Sequence, residues 1–221
     1  MGFTLAEVLI TLVIIGVIAA LTVPNMIIRH QKLETATRVK NVYSELSQVI
    51  RMSEANNGPM STWDFGTTSS VENTRNVMQK YLLPYFRNIN EYSTGSDISI
   101  TGLGISWAGI NYVYNGTTAF SIAVFPSEPR IIFFTVAPNT KKLKKEGYIP
   151  GKTYFYFQIN NGKIIPFGYM EGKSREDIIN GYTYDYGTNI ACNKSGVPYS
   201  RYSCTFLLMF DGWQIKDDYP W

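Results

Sequence analysis

Residues 2–24 read GFTLAEVLITLVIIGVIAALTVP. From Val8 to Ile28 no residue carries a charge, and a helix of that length, rising about 1.5 Å per residue, crosses a bilayer core. Glu7 stands at the edge of this run. A cleavable secretory signal needs a basic start, a shorter apolar core and a small-residue cleavage site. Ile18-Ala19-Ala20 offers only the last, Met1-Gly2 alone precede the run, and the one early charge is acidic. A plain anchor accounts for the length and leaves Glu7 without a role. An ionisable group in an apolar span is a functional candidate by default.

Beyond Pro24 the pattern turns amphipathic. Ala36, Val39, Val42/Tyr43, Leu46 and Val49/Ile50 recur at three and four, while Arg38, Lys40, Asn41, Glu45, Gln48 and Arg51 fill the other face. Asn56-Asn57-Gly58-Pro59 is a strong breaker. The spacing therefore predicts one helix from Phe3 to Ala55, about 80 Å long if continuous. Its second half is expected to lay its apolar stripe on a sheet.

Removing the first 55 residues of the 221 leaves about 165, enough for one domain with its own core. The 16 Tyr, 12 Phe and 18 Gly, with many short apolar runs, suit a β-rich domain with frequent turns. Ser69–Phe86 reads as a helix that Pro84 ends or distorts. Strands are expected at Asp97–Thr101, Ile110–Tyr114, Ala119–Phe125, Arg130–Val136, Thr153–Ile159 and Lys163–Phe167, with hairpin turns at Asn115-Gly116 and Asn161-Gly162. Ser174-Arg175-Glu176-Asp177 has the form of a capping box. Tyr182–Asn189 reads as loop, and Thr205–Met209 fits helix and strand equally. Two cysteines, Cys192 and Cys204, lie close together in a Gly/Ser/Asn-rich stretch. One disulfide is the expectation, worth about 3 kcal/mol by chain entropy. The alternatives are two free thiols, or a zinc pair that lacks any other soft ligand. A disulfide places the domain outside the cytoplasm.

The amino-terminal order of Gly2, Phe3, Thr4-Leu5-Ala6-Glu7 and an apolar run of about 20 residues resembles the class III signal of type IV prepilins and type II secretion pseudopilins. The resemblance implies an α+β pilin fold: a long amino-terminal helix packed on an antiparallel sheet, with a carboxyl-terminal loop closed by Cys192–Cys204. It implies cleavage between Gly2 and Phe3 by prepilin peptidase, N-methylation of Phe3, and docking on an inner-membrane assembly platform. It also implies that Gly16 and Pro24 are where the helix loses regularity on assembly; close helix packing is the other reading of Gly16. A lone carboxylate in an apolar bundle is costly unless paired. Glu7 is thus expected to meet the Phe3 amine of a neighbouring copy and so set register. The implied organisation is a leader remnant at residues 1–2, a transmembrane or filament-core half at 3–28, an amphipathic half at 29–55 and an extracytoplasmic head at 56–221. The implied location is the inner membrane, as a single-pass protein, and then a periplasmic or cell-surface filament.

Two features depart from the family. Its leaders usually carry Lys or Arg before the glycine, whereas only Met1 stands there, which suggests a short or trimmed leader. Arg29, Lys32, Arg38 and Lys40 follow the apolar run, and the positive-inside rule read literally would put the head in the cytoplasm. In residues 136–157, VAPNTKKLKKEGYIPGKTYFYF, the Gly151-Lys152 frame and aromatic strand of related proteins survive, but most acidic positions do not.

The net charge of +3 is too small to argue for nucleic acid. No cofactor is expected. Asp211, Asp217 and Asp218 are the weak calcium candidates, with solvated turns as the alternative. Lys141–Lys145 reads as a solvated basic loop. Tyr182, Tyr184, Tyr186, Tyr199 and Tyr202 fit an adhesive surface or the core. The single histidine, His30, lies next to the apolar run, and no catalytic triad, metal-spaced cluster or phosphate loop is present. The expected role is a non-enzymatic filament subunit that associates with copies of itself or other pilins. The alternative is a minor tip subunit that binds a surface, DNA or a secreted protein.

Overall fold

α1 (Leu5–Asn57) is one unbroken helix of 53 residues that passes through Pro24. The computed structural model describes residues 2, 4–94, 109–114, 116–127, 131–184, 187–194 and 201–221. The helix stops two residues later than the breaker predicts, because Gly58 takes the positive φ (78°) that ends it. Its buried side chains are Thr35, Ala36, Val39, Val42, Leu46, Val49, Ile50 and Ser53, the stripe read from the spacing. Before Leu33, Lys32 reaches the head: its Nζ donates to the Lys216 carbonyl at 3.5 Å and lies 3.6 Å from Asp217 Oδ1.

The Ser69–Phe86 segment is three short pieces rather than one helix. Ser70 caps α2 (Val71–Val77) by accepting from the Asn73 N–H at 3.1 Å. A π turn (Met78–Leu82) and a 3-10 turn (Leu83–Tyr85) follow. Pro84 has no N–H to give to Lys80, so regular helix cannot continue.

Six strands form one antiparallel meander in chain order: β1 (Ile89–Thr94), β2 (Ile110–Tyr114), β3 (Thr118–Phe125), β4 (Ile131–Ala137), β5 (Phe155–Asn160) and β6 (Lys163–Pro166). β1 was not anticipated, since INEYST mixes polar residues without clean alternation; it pairs at the edge with β2. The expected strand at Asp97–Thr101 lies outside the described residues, as do Arg130 and Asn115. The β5–β6 turn has Asn161 at φ 48° and Gly162 at φ 72°. These are the two positive values that a two-residue hairpin needs, and an Asn-Gly pair supplies them most readily.

Register places Ile110, Ile122, Phe134 and Phe157 side by side across the sheet. This face meets α1: the Tyr43 ring lies 6.1 Å from that of Phe157. The opposite face carries Phe133, Tyr156 and Gln158 and is covered by Phe167, Tyr184 and Tyr202. Tyr182 and Tyr202 are buried and Tyr184 half-buried. These three are therefore core residues rather than an adhesive surface; Tyr186 and Tyr199 lie outside the described residues.

Two local expectations are corrected and one open reading is resolved. Lys141–Lys145 is not a loop but lies in α3 (Thr140–Glu146), capped by Asn139, which accepts from the Lys142 N–H at 3.0 Å. Within Tyr182–Asn189, β7 (Tyr182–Thr183) pairs with β8 (Asn189–Ile190). The undecided Thr205–Met209 is helix, in α5 (Cys204–Phe210), with Cys204 to Leu208 all buried. Thr205 Oγ1 accepts from the Tyr156 N–H at 2.9 Å, which ties α5 to β5.

The capping box at Ser174 forms as expected and starts α4 (Arg175–Asn180). The Ser174 N–H donates to Asp177 Oδ2 at 2.9 Å, and Asp177 N–H donates back to Ser174 Oγ at 3.2 Å. Ser174→Ala is expected to cost about 1 kcal/mol, read as a lower urea midpoint with unchanged slope.

Candidate functional site

The exposed end of α1 begins with a cap. Thr4 is extended and accepts from the Glu7 N–H at 3.3 Å, while the Thr4 N–H and hydroxyl both donate to Glu7 Oε2 at 2.8 Å. Glu7 is therefore not an isolated carboxylate: it closes a capping box around the first helical turn. Thr4 was not singled out from the sequence, although Thr-x-x-Glu before an apolar run is the signature of such a box. Gly2 is exposed, and Phe3 lies outside the described residues.

From Leu5 to Ile28 the helix is apolar on all sides and exposed on all sides. Leu5, Ile10, Val13 and Leu21 are each more than half exposed. The most apolar 18-residue window has a mean hydropathy of 2.6 and none of it is buried. It is one helix long and apolar enough to cross a membrane. Its few polar side chains turn back on the helix: Thr11 and Thr22 hydroxyls each donate at 2.9 Å to the carbonyls of Val8 and Ile18. Such internal pairing leaves little for a lipid environment to satisfy. Among the described residues nothing lies within 4 Å of where a Cβ on Gly16 would sit, so no packing among them explains that glycine.

The base of the head is closed by the carboxyl-terminal tail. The Cys192–Cys204 disulfide joins the segment after β8 to the start of α5. Beyond α5, the Arg175 guanidinium grips two carboxylates at once. Its Nε and Nη2 donate to Asp211 at 2.8 and 2.9 Å, and its Nη1 and Nη2 donate to Asp218 at 2.6 and 2.7 Å. Lys216 Nζ adds a third cationic donor to Asp211 at 2.7 Å. The Asp211 side chain is only 2% exposed, so it is not the solvated turn residue that its Asp-Gly-Trp context suggests. Burial pushes its carboxyl up, but hydrogen bonds from Arg175 and Lys216, and their charges, outweigh that and hold it below the usual range. Hydrogen bonding to Arg175 likewise lowers Asp218. Asp217 points elsewhere, to Lys32 of α1 at 3.6 Å. The three calcium candidates are thus divided among three cationic partners, Arg175, Lys216 and Lys32. Among the described residues no three His, Cys, Asp or Glu side chains gather for a metal ion.

Further along the tail, the Tyr219 hydroxyl donates to the Gly151 carbonyl at 2.7 Å and Arg201 Nη1 donates to the Pro220 carbonyl at 2.7 Å. Lys142 of α3 sits 4.0 Å over the Trp221 ring. Burial lowers the Lys142 ammonium, with Glu146 opposing, and the indole face replaces part of its lost hydration. Gly151-Lys152, read from the sequence only as a surviving frame, is where this tail docks. Arg175 gave no signal in the sequence, because its partners lie 36 and 43 positions away. The tail and α1 together enclose a groove of about 280 Å³ at the base of the head.

A family model described as a family of unknown function (DUF6613) matches residues 25–221. The match takes in the amphipathic half of α1 and the whole head, and begins just past Pro24. No curated protein and no solved structure matches the chain. With the model spanning most of its length, the chain belongs to the family of unknown function DUF6613.

Proposed function

We propose that the protein is a non-enzymatic structural subunit of a helical filament of the type IV pilus or type II secretion pseudopilus kind. The observation that carries this reading is the division of α1. One half is embedded in the head, and the other, Leu5 to Ile28, is a bare apolar rod with a capped carboxylate at its tip. Exposed apolar surface of that extent needs cover. A bilayer covers it while the subunit is stored, and the rods of neighbouring copies cover it after assembly. A head-to-tail contact between copies generates an open filament. The long helix over an antiparallel sheet, with a disulfide near the carboxyl terminus, has the layout of a pilin and supports the same reading.

In this reading prepilin peptidase cuts between Gly2 and Phe3, and the new Phe3 amine and Glu7 pair between copies. The capping box refines that pairing. Glu7 Oε2 already accepts twice from Thr4, so the amine of a neighbour reaches a carboxylate held in place before assembly.

Intact mass and amino-terminal sequencing of the protein from its native membranes test the proposal. The expected result is a chain that starts at N-methyl-Phe3. A start at Met1, or near Thr22, overturns it in favour of a plain anchor or a secreted domain.

A further inference from the structure

The groove at the base of the head sits where α1 changes from bare to embedded. Arg29, Lys32 and Leu33 of α1 line one side, and Trp213, Ile215 and Asp217 of the tail line the other. Arg29 follows directly on Ile28, the last residue of the apolar run, is exposed, and joins no ion pair among the described residues. Lys32 Nζ lies 3.6 Å from Asp217 Oδ1, and the Asp217 side chain is fully exposed. Leu33 is 68% exposed although it lies past the apolar run. Trp213 is held in place by the Tyr43 ring at 5.2 Å.

We propose that this groove seats the phosphoethanolamine headgroup of a membrane phospholipid. With residues 5–28 in a bilayer, Arg29 stands at headgroup depth, where Arg and Trp are among the side chains that anchor a helix to the interface. The Arg29 guanidinium offers paired donors to a phosphate. Asp217, beside Lys32, offers a carboxylate to the ammonium of the same headgroup. Leu33 and Ile215 form apolar wall for its glycerol end. The charge pattern selects a zwitterion over an anionic lipid. A patch made only of cations would favour phosphatidylglycerol, but this groove sets the exposed Asp217 carboxylate beside Lys32 and Arg29. The seat also gives a use to Arg29 and Lys32, two of the positive charges that follow the apolar run.

The inference rests on residues 5–28 spanning a bilayer and not on filament assembly. The test is the full chain extracted from membranes and reconstituted with equal amounts of phosphatidylethanolamine, phosphatidylglycerol and phosphatidylcholine. Lipid retained by the protein is read by native mass spectrometry. Phosphatidylethanolamine is expected to be retained about fivefold over the other two, the scale of one net hydrogen bond. Arg29→Gln is expected to lower retention of all three, and Asp217→Asn to abolish the preference while leaving total retention. Both sites are exposed, so the variants fold. Equal retention of the three lipids, or a preference that survives Asp217→Asn, overturns the proposal. Crosslinking between copies through Leu33→Cys in the membrane also overturns it, by showing the groove covered by a second chain. A chain released from membranes by carbonate washing would instead overturn the bilayer span itself.

Discussion

Gly151→Ala is expected to lower the stability of the head by about 3 kcal/mol, of which roughly 1–2 kcal/mol is backbone strain and the rest overpacking. Gly151 has φ 73°, where a Cβ is unfavourable, and a Cβ there would come within 2.4 Å of the Cys204 Cβ and 2.9 Å of the Tyr219 hydroxyl. Neither neighbour yields easily. Cys204 is locked by its disulfide and buried in α5, and the Tyr219 hydroxyl donates to the carbonyl of Gly151 itself. For a chain of this size the loss corresponds to a melting temperature lower by about 10 °C. Gly147→Ala separates the two contributions. Gly147 has φ 80° but open space where its Cβ would go, so only the strain of about 1–2 kcal/mol is expected. Thermal melts of both variants in the same detergent check this. Equal losses at the two positions would mean that the tail does not dock against Gly151 as described.

Arg175→Ala is expected to cost about 2–3 kcal/mol near neutral pH. Removing one partner of a buried pair leaves the other charge uncompensated, a loss of about 3–5 kcal/mol when both groups are fully buried. Here Arg175 is 28% exposed and Lys216 still reaches Asp211, which reduces it. The pH dependence has a definite sign. Asp211 and Asp218 have lowered carboxyl pKa values in the folded protein. Their contribution is therefore present above the unfolded value of about 4 and is lost as pH falls through the folded values. In the variant, burial of Asp211 is opposed by less, and its pKa rises. The gap between wild type and variant should be widest at pH 6–7 and close below about pH 4. Urea titrations across that range read it directly, and a gap constant down to pH 3 would rule out the carboxylates as its source.

Much of this architecture was readable from residues near one another in the chain. The stripe from Ala36 to Ile50 marked the buried face of α1 because a helix repeats every 3.6 residues and one face meets the sheet. Asn161-Gly162 marked its hairpin through backbone sterics alone. Ser174 marked the start of α4, and Thr4 would have marked that of α1 by the same rule. The errors cluster where local signals are weak. The polar edge strand β1 lacks alternation. α3 hides behind four lysines that suit a solvated loop as well as a helix. α5 is a uniformly apolar run, which carries no period to separate helix from strand.

The apolar run from Val8 to Ile28, the amphipathic half that follows and most sheet strands follow from composition and spacing, because hydrophobic periodicity and turn chemistry act over a few residues. The carboxyl-terminal assembly does not. Arg175 meets Asp211 and Asp218, Tyr219 meets Gly151, and Lys32 meets Asp217 only in the tertiary structure. Those contacts join positions from 36 to about 185 residues apart. Side-chain type gives no sign of such partners, since their meeting depends on how layers stack rather than on any local preference. Hence Asp211 and Asp218, which read as solvated turns or metal ligands, are in the folded chain the counter-charges that Arg175 of α4 grips, while Asp217 stays exposed beside Lys32.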